Sequence, residues 1–221
     1  MVAILPEIKQ NLVIVGCGGF GRETLGWAMH AQDSGMAAYD SICMVDDSPD
    51  FECFPRLKPF YNGTLTNYAP QSNDRVVIAV GDPNTRCRLD VMLSERQAKF
   101  GSVIHPTALV SLSSQLGEGA ILAPHVVVTT DVTVGRHTHM NIATTVGHDV
   151  TIEDFVTLSS HTDITGGCTL GDFVFLGSGA RILPGCQIVA NTRIGAGCTV
   201  MRSVKKPAVF IAAMPKKVTF K

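Results

Sequence analysis

Residues 134–158 read VGRHTHMNIATTVGHDVTIEDFVTL, with an aliphatic side chain at every sixth position: Val134, Met140, Val146, Ile152 and Leu158. The spacing holds outward in both directions. It runs unbroken from Ile104 through Val110, Leu116, Leu122 and Val128, and onward through Ile164, Leu170, Leu176, Ile182, Ile188 and Ile194 to Val200. Four places after each of these positions stands a small or β-branched residue, as at Ala108, Ser114, Ala120, Val126, Thr138, Cys168, Ala180 and Cys198. Two inward sites per six residues fit neither a helix nor an ordinary strand. A period of six sustained over about a hundred residues indicates a hexapeptide-repeat β-solenoid, in which each repeat forms one flat face and three repeats close a triangular coil.

Only the second half of the 221 residues carries this repeat, so two domains are expected, 1–103 and 104–221, with the junction near Gly101 to His105. Low aromatic content and 21 glycines suit stacked coils with an aliphatic core and permissive corners. Met1 to Leu5 is too short for a signal segment and is followed by Pro6 and Glu7, and no apolar run approaches the roughly 20 residues that span a bilayer. A soluble cytoplasmic protein is expected. The seven cysteines lack paired spacing, and Cys168 and Cys186 fall eighteen apart in the small inward column, as packed core thiols would.

A net charge of −1 argues against a general polyanion binder, yet no acidic residue follows Asp172. Arg181, Arg193, Arg202, Lys205, Lys206, Lys216, Lys217 and Lys221 leave that end basic, which points to a compact multi-phosphate ligand.

The first half opens with a buried strand, Leu12 to Val15, that leads into Gly16-Cys17-Gly18-Gly19-Phe20-Gly21 and a helix from Arg22 to about His30. Such a turn lets the backbone approach a phosphate and presents free helix-start N–H groups to it. A second strand ends in Asp46-Asp47, where an acid can hold a ribose or base, and a third ends in Gly81-Asp82-Pro83-Asn84. A dinucleotide fold needs two βαβαβ halves, and about 100 residues supply one, so the expected ligand is a mononucleotide or nucleotide-linked molecule.

With these motifs in place, the chain resembles the NeuD/PglD-type sugar acetyltransferases over nearly its whole length. The resemblance is carried by Gly16 to Gly21, Val45-Asp46-Asp47, His105 to Ala108, Met140-Asn141 and Gly147-His148-Asp149-Val150-Thr151-Ile152. It implies a Rossmann-like nucleotide-sugar-binding half-domain followed by a left-handed parallel β-helix, a homotrimer, acetyl-CoA as co-substrate, and an active site between neighbouring β-helices. It maps the family's catalytic base onto His148, with Asp149 beside it, and the family's asparagine onto Asn141. Many relatives carry histidine where Phe20 and Thr157 stand, and the usual C-terminal Gly-Asn-Pro-Ala-Lys is here Ala212-Ala213-Met214-Pro215-Lys216.

Repeat register adds an independent reading, since residues eighteen apart stack at about 4.8 Å. His148 then heads an outward column of Gly166, Pro184 and Arg202, with Gly167 beside Gly166. A pantetheine arm would run from a thioester near His148 to phosphates near Arg202, Lys205 and Lys206, about 14 Å along the axis, with Pro215 also at the cofactor. His148 is expected to take a proton from the acceptor amine, Asp149 to orient its ring, Gly166 N–H to stabilise the oxyanion and Asn141 to position acceptor or base. Adjacent strand residues point to opposite faces, which would set Asp149 away from His148. Acceptor contacts are expected from Gly16, Gly18, Gly19, Phe20, Gly21, Asp46, Asp47, Asn84 and His161.

The expected reaction is N-acetylation of a nucleotide-linked aminosugar, with O-acetylation of a sialic acid or polysaccharide sugar as the alternative. No nucleic acid, membrane or metal is implied. His137 and His139 form an HxH pair that raises a metal, but a zinc enzyme of the γ-carbonic anhydrase kind uses two histidines five apart, a spacing absent here. A non-catalytic solenoid would show a regular ladder, which the Gly147-His148-Asp149 interruption breaks.

Overall fold

The computed structural model describes residues 10–213. The first half is a three-stranded parallel sheet in the order β2–β1–β3, built from β1 (Gln10–Val15), β2 (Tyr39–Val45) and β3 (Asp74–Ile78). Helix α1 (Gly19–Asp33) follows β1, and helix α2 (Pro83–Glu95) follows β3 with Asp82 capping its start through Thr85 N–H at 2.9 Å. Both strand-to-helix turns therefore lie at one edge of the sheet, where open α/β sheets receive ligands.

From Val103 onward every strand is two residues long, and the chain winds into a parallel β-solenoid with three faces. The first face carries Val103–Ile104, Ile121–Leu122, His139–Met140, Thr157–Leu158, Phe175–Leu176, Arg193–Ile194 and Val209–Phe210. The second carries the six strands from Leu109–Val110 to Thr199–Val200, and the third the five from Gln115–Leu116 to Gln187–Ile188. Partners stand eighteen apart, as in Thr145↔Asp163 and Thr151↔Thr169. The six-residue column is the core: from Leu122 to Val200 each member is buried, while Ile104, Val110 and Leu116, in the open first coil, are half-buried. Past Val200 the spacing shortens to sixteen, with Ile188 bridging Val204 and Arg193 pairing Val209.

Each vertex is turned by a residue with positive φ, once every six positions from Gly119 to Gly197. Glycine fills five of these places; His125, Asp131, His137, Ala143, Asp149, Phe155, His161, Phe173 and Asn191 fill the others. A side chain there costs about 1–2 kcal/mol. The backbone is held in place by the stack, because the same residue donates its N–H to the coil below, as Asp149 does to Thr130 O and His161 to Ile142 O.

The α/β half sits on the first face, and one buried cation fastens it there. Arg86, in α2, is 0% exposed and donates to Val80 O at 2.8 Å, Phe155 O at 2.7 Å, Val156 O at 3.2 Å and Thr157 Oγ1 at 3.0 Å. Thr157 completes the clamp by donating to Gly81 O at 3.0 Å. Burial pulls the Arg86 pKa down to about 9, so it remains a cation at neutral pH. Alongside it, Asp90 Oδ1 accepts from Arg136 Nη2 and His137 Nε2, both at 2.9 Å. His137 packs edge-on to Phe100 and flat on Phe155, which stacks in turn on Phe173. Burial pushes His137 down to about 4 against the upward pull of Asp90, and holds His139 well below the usual imidazole range.

Replacing Arg86 with methionine leaves Val80 O and Phe155 O without a donor, a loss of roughly 2–6 kcal/mol at about 1–3 kcal/mol for each orphaned group. We expect limited proteolysis of Arg86→Met to remove the first hundred residues while the solenoid persists; resistance equal to wild type would show that docking does not depend on this cation.

Candidate active site

His148 lies at the vertex between the second and third faces, after Thr145–Val146, in the turn that Asp149 completes. The expectation that the two side chains diverge fails, because they occupy a corner and not a strand. With φ of +59° Asp149 turns its carboxylate back, and Asp149 Oδ2 stands 2.7 Å from His148 Nδ1. A carboxylate accepts only, so Nδ1 carries the proton and Nε2 is left as the basic atom. The pair is largely exposed, at 69% and 65%.

Gly166 lies one coil above, with the ring of His148 against it: a Cβ at Gly166 would come within 2.6 Å of His148 Nε2. The stack continues as expected through Pro184, since Gly167 N donates to His148 O at 2.8 Å and Gly185 N to Gly166 O at 3.0 Å. Gly167 has only Gly185 backbone within reach of a Cβ, and Gly185 has nothing within 4 Å, so the two corner positions above Asp149 are open, with Pro184 exposed beside them. Gly166 N–H is used by no other backbone group among the described residues. Arg202 lines a cavity of about 790 Å³ near the last coil, together with Met201, Lys205, Lys206 and Phe210. Pro215 lies outside the described residues.

Asn141 and His161 are on a different vertex, between the first and second faces, following His139–Met140 and Thr157–Leu158. Asn141 Oδ1 accepts from Ile142 N at 2.7 Å, and neither residue touches His148 of the same chain. That vertex borders the face covered by the α/β half, whereas the His148 vertex does not.

In the α/β half Gly16 takes φ of +106°, and a side chain at Gly21 would collide with Gly16 O. The glycines thus close the turn sterically, and Gly18 has open space around it. A cleft of about 200 Å³ beside the turn is lined by Gly16, Asp46, Asp47 and Ser48 among others. Asp46 is largely committed to the fold, accepting from Cys17 N at 2.6 Å and Ser48 N at 2.8 Å. Asp47 accepts from Thr66 N at 2.8 Å through Oδ1. Gly19 starts α1, and Asn84 is exposed in the first turn of α2 at the same sheet edge. Phe20 is placed differently from expectation: its ring packs on His139 at 5.1 Å and edge-on to Trp27 at 5.8 Å, at the junction with the solenoid and away from the cleft lining.

The HxH pair does not converge. His137 binds Asp90 at a vertex, while His139 on the first face is wholly buried with both ring nitrogens unpartnered. Among the described residues no group of three or more His, Cys, Asp or Glu gathers as metal ligands would, and no helix is long and apolar enough to cross a membrane.

Comparison with known proteins follows the same division. Residues 11–92 match the PglD N-terminal domain, and residues 167–202 match the bacterial transferase hexapeptide (six repeats). UDP-N-acetylbacillosamine N-acetyltransferase of Bacillus subtilis (strain 168) is 32% identical over 114 residues, 50% of each chain, so the match spans about half the length of that curated relative. The acetyltransferase domain of PglB from Neisseria gonorrhoeae superimposes with a TM-score of 0.80 at 23% identity, over 91% of this chain and 96% of that one. Its complex with acetyl coenzyme A gives 0.75 at 25% identity, over 87% and 93%. PerB from Caulobacter crescentus, in complex with CoA and GDP-perosamine, gives 0.73 at 27% identity, over 90% and 92%.

Substituting Gly166 with alanine meets the far end of an exposed side chain, so the ring should move and the fold should hold. We expect Gly166→Ala to change the ¹⁵N and ¹H shifts of the His148 imidazole with an unaltered thermal midpoint; unaltered ring shifts would mean that His148 does not rest on this glycine in solution.

Proposed function

We propose that this chain, which belongs to the NeuD/PglD-type sugar acetyltransferase family, transfers the acetyl group of acetyl-CoA to the amine of a nucleotide-linked aminosugar. The observation that carries the reading is the His148–Asp149 hydrogen bond beside Gly166, with a cavity lined by Arg202, Lys205 and Lys206 further along the solenoid. Supporting it, PglB's domain is described with acetyl coenzyme A and PerB with CoA and GDP-perosamine.

His148 Nε2 takes the proton as the acceptor nitrogen attacks the thioester carbonyl. Asp149 holds Nδ1–H and steadies the cationic ring that forms, in the manner of a base-orienting carboxylate. Gly166 N–H is the candidate donor to the developing oxyanion, a role in which one donor is typically worth about 3 kcal/mol. Gly166, Gly167 and Pro184 line the path of the pantetheine arm, and Arg202, Lys205 and Lys206 meet phosphates at its end, with Pro215 assigned to the same cofactor from sequence alone. Nothing in this route needs a covalent enzyme intermediate.

The acceptor half is assigned to the turn at Gly16, Gly18, Gly19 and Gly21, with Asp47 as the better ribose contact, Asp46 as its support and Asn84 at the edge. Phe20 acts through domain packing in this reading. Because the α/β half covers the first face and His148 stands on the opposite vertex, an acceptor held by one chain meets the His148 of a neighbour. Asn141 and His161, on the vertex beside the α/β half, then serve a base supplied by the adjoining chain. The homotrimer that the family resemblance implies is a closed assembly that repeats such a contact.

With acetyl-CoA and a panel of UDP-, dTDP- and GDP-linked aminosugars, we expect thiol release with one acceptor, and a fall of roughly 10²–10⁴ in turnover for His148→Ala in an intact assembly. Near wild-type turnover in that variant would remove His148 as the base. Co-assembly of inactive His148→Ala and Asn141→Ala chains should regain activity, since some neighbouring pairs then hold both residues intact. Continued inactivity would reject the shared site.

A further inference from the structure

We infer that Arg22, carried on the ring of Phe54, grips the diphosphate of the nucleotide-linked acceptor; this rests on the acceptor reading given above. Arg22 stands in the first turn of α1, and its Nη2 lies 3.9 Å from where a Cβ of Gly19 would be. Its guanidinium carbon sits 3.5 Å above the centroid of the Phe54 ring. A cation so placed is attracted to the aromatic face and loses little side-chain freedom when it binds.

The face of the guanidinium is thus occupied and its N–H edges are not. Among the described residues Arg22 donates to no acceptor and pairs with no carboxylate within ion-pair distance. Asp50 lies within electrostatic range, but its Oδ1 is taken by Cys53 N at 3.0 Å. Half-buried cations with a fixed plane and unused donors match the paired oxygens of a phosphate. The surroundings agree: the first turn of α1 has no acidic residue, and the space beside Gly18 is open. Phe54 belongs to the segment that begins at Asp46, which is itself bound to Cys17 N–H of the glycine turn. The same segment therefore runs from the Asp46 side of the glycine turn to the ring that carries Arg22.

A purely structural role is the competing account, in which Arg22 only pins that segment. The two separate on ligand chemistry. We would titrate wild type, Arg22→Gln, Arg22→Lys and Phe54→Leu with UDP, GDP and dTDP by calorimetry, follow the parent nucleosides by saturation-transfer NMR, and use acetyl-CoA as a control. The expected result is a roughly ten- to hundredfold loss of affinity for the preferred diphosphate in Arg22→Gln, with nucleoside and acetyl-CoA binding unchanged. Arg22→Lys should recover part of that loss, and Phe54→Leu should fall between wild type and Arg22→Gln. Equal losses for nucleoside and diphosphate would assign Arg22 to the loop and overturn the inference, as would an unchanged diphosphate affinity. A wild type that binds acetyl-CoA and none of the diphosphates would instead overturn the acceptor reading, and this one with it.

Discussion

A left-handed backbone turn at every sixth residue is the constraint on which the rest of this molecule depends. Side chains other than glycine occupy most of these turns, although each is unfavourable on its own. They persist because the turn residue's N–H is the bond that ties its vertex to the coil below, so abandoning the conformation would orphan a backbone donor. The cost is local and the restraint is collective, as in other stacked repeats. From it follow the eighteen-residue register, the burial of the aliphatic column and the placement of every outward side chain on one of three vertices.

The same turn supplies chemistry. On a strand Asp149 would face away from His148; in the left-handed corner it reaches back to Nδ1. One coil up, Gly166 is where the ring needs a surface without a side chain. The proposed base and its orienting acid thus owe their pairing to a structural period, with a glycine where a larger residue would fill the space.

Much of this could be read in advance, and what could not has a common physical origin. The period of six shows itself because inward positions admit only aliphatic or small residues, and the glycine turn because Gly21 has no room for a side chain beside Gly16. The column His148–Gly166–Pro184–Arg202 follows from arithmetic once the coil length is known. The domain clamp was invisible. Arg86 and Asp90 are charged residues on a short helix, which normally signals a solvated face, and their burial depends on carbonyls and rings some 50 to 70 positions away. Phe20 was misplaced for the same reason, since its partner His139 lies in the other domain. Thr157 shows the limit of reasoning from relatives: a position where many carry histidine is used here to hold Gly81 and Arg86.

The clamp also bears on the proposal that the site is shared between chains. A nucleotide-type domain fastened to the first face keeps its sheet edge near Thr157, with α2 held at the vertex of His137 and Phe155. His148 is separated from that region by a whole face of the solenoid. A flexible tether could close such a gap within one chain, but Arg86, Asp90 and the aromatic stack make the docking rigid and buried. With the domain unable to swing, the proposed shared site closes the gap by assembly, a vertex of one solenoid meeting a vertex of another. Rigidity at the domain junction is therefore what the proposed shared site rests on, because a docked domain cannot carry an acceptor across the solenoid to His148 of its own chain.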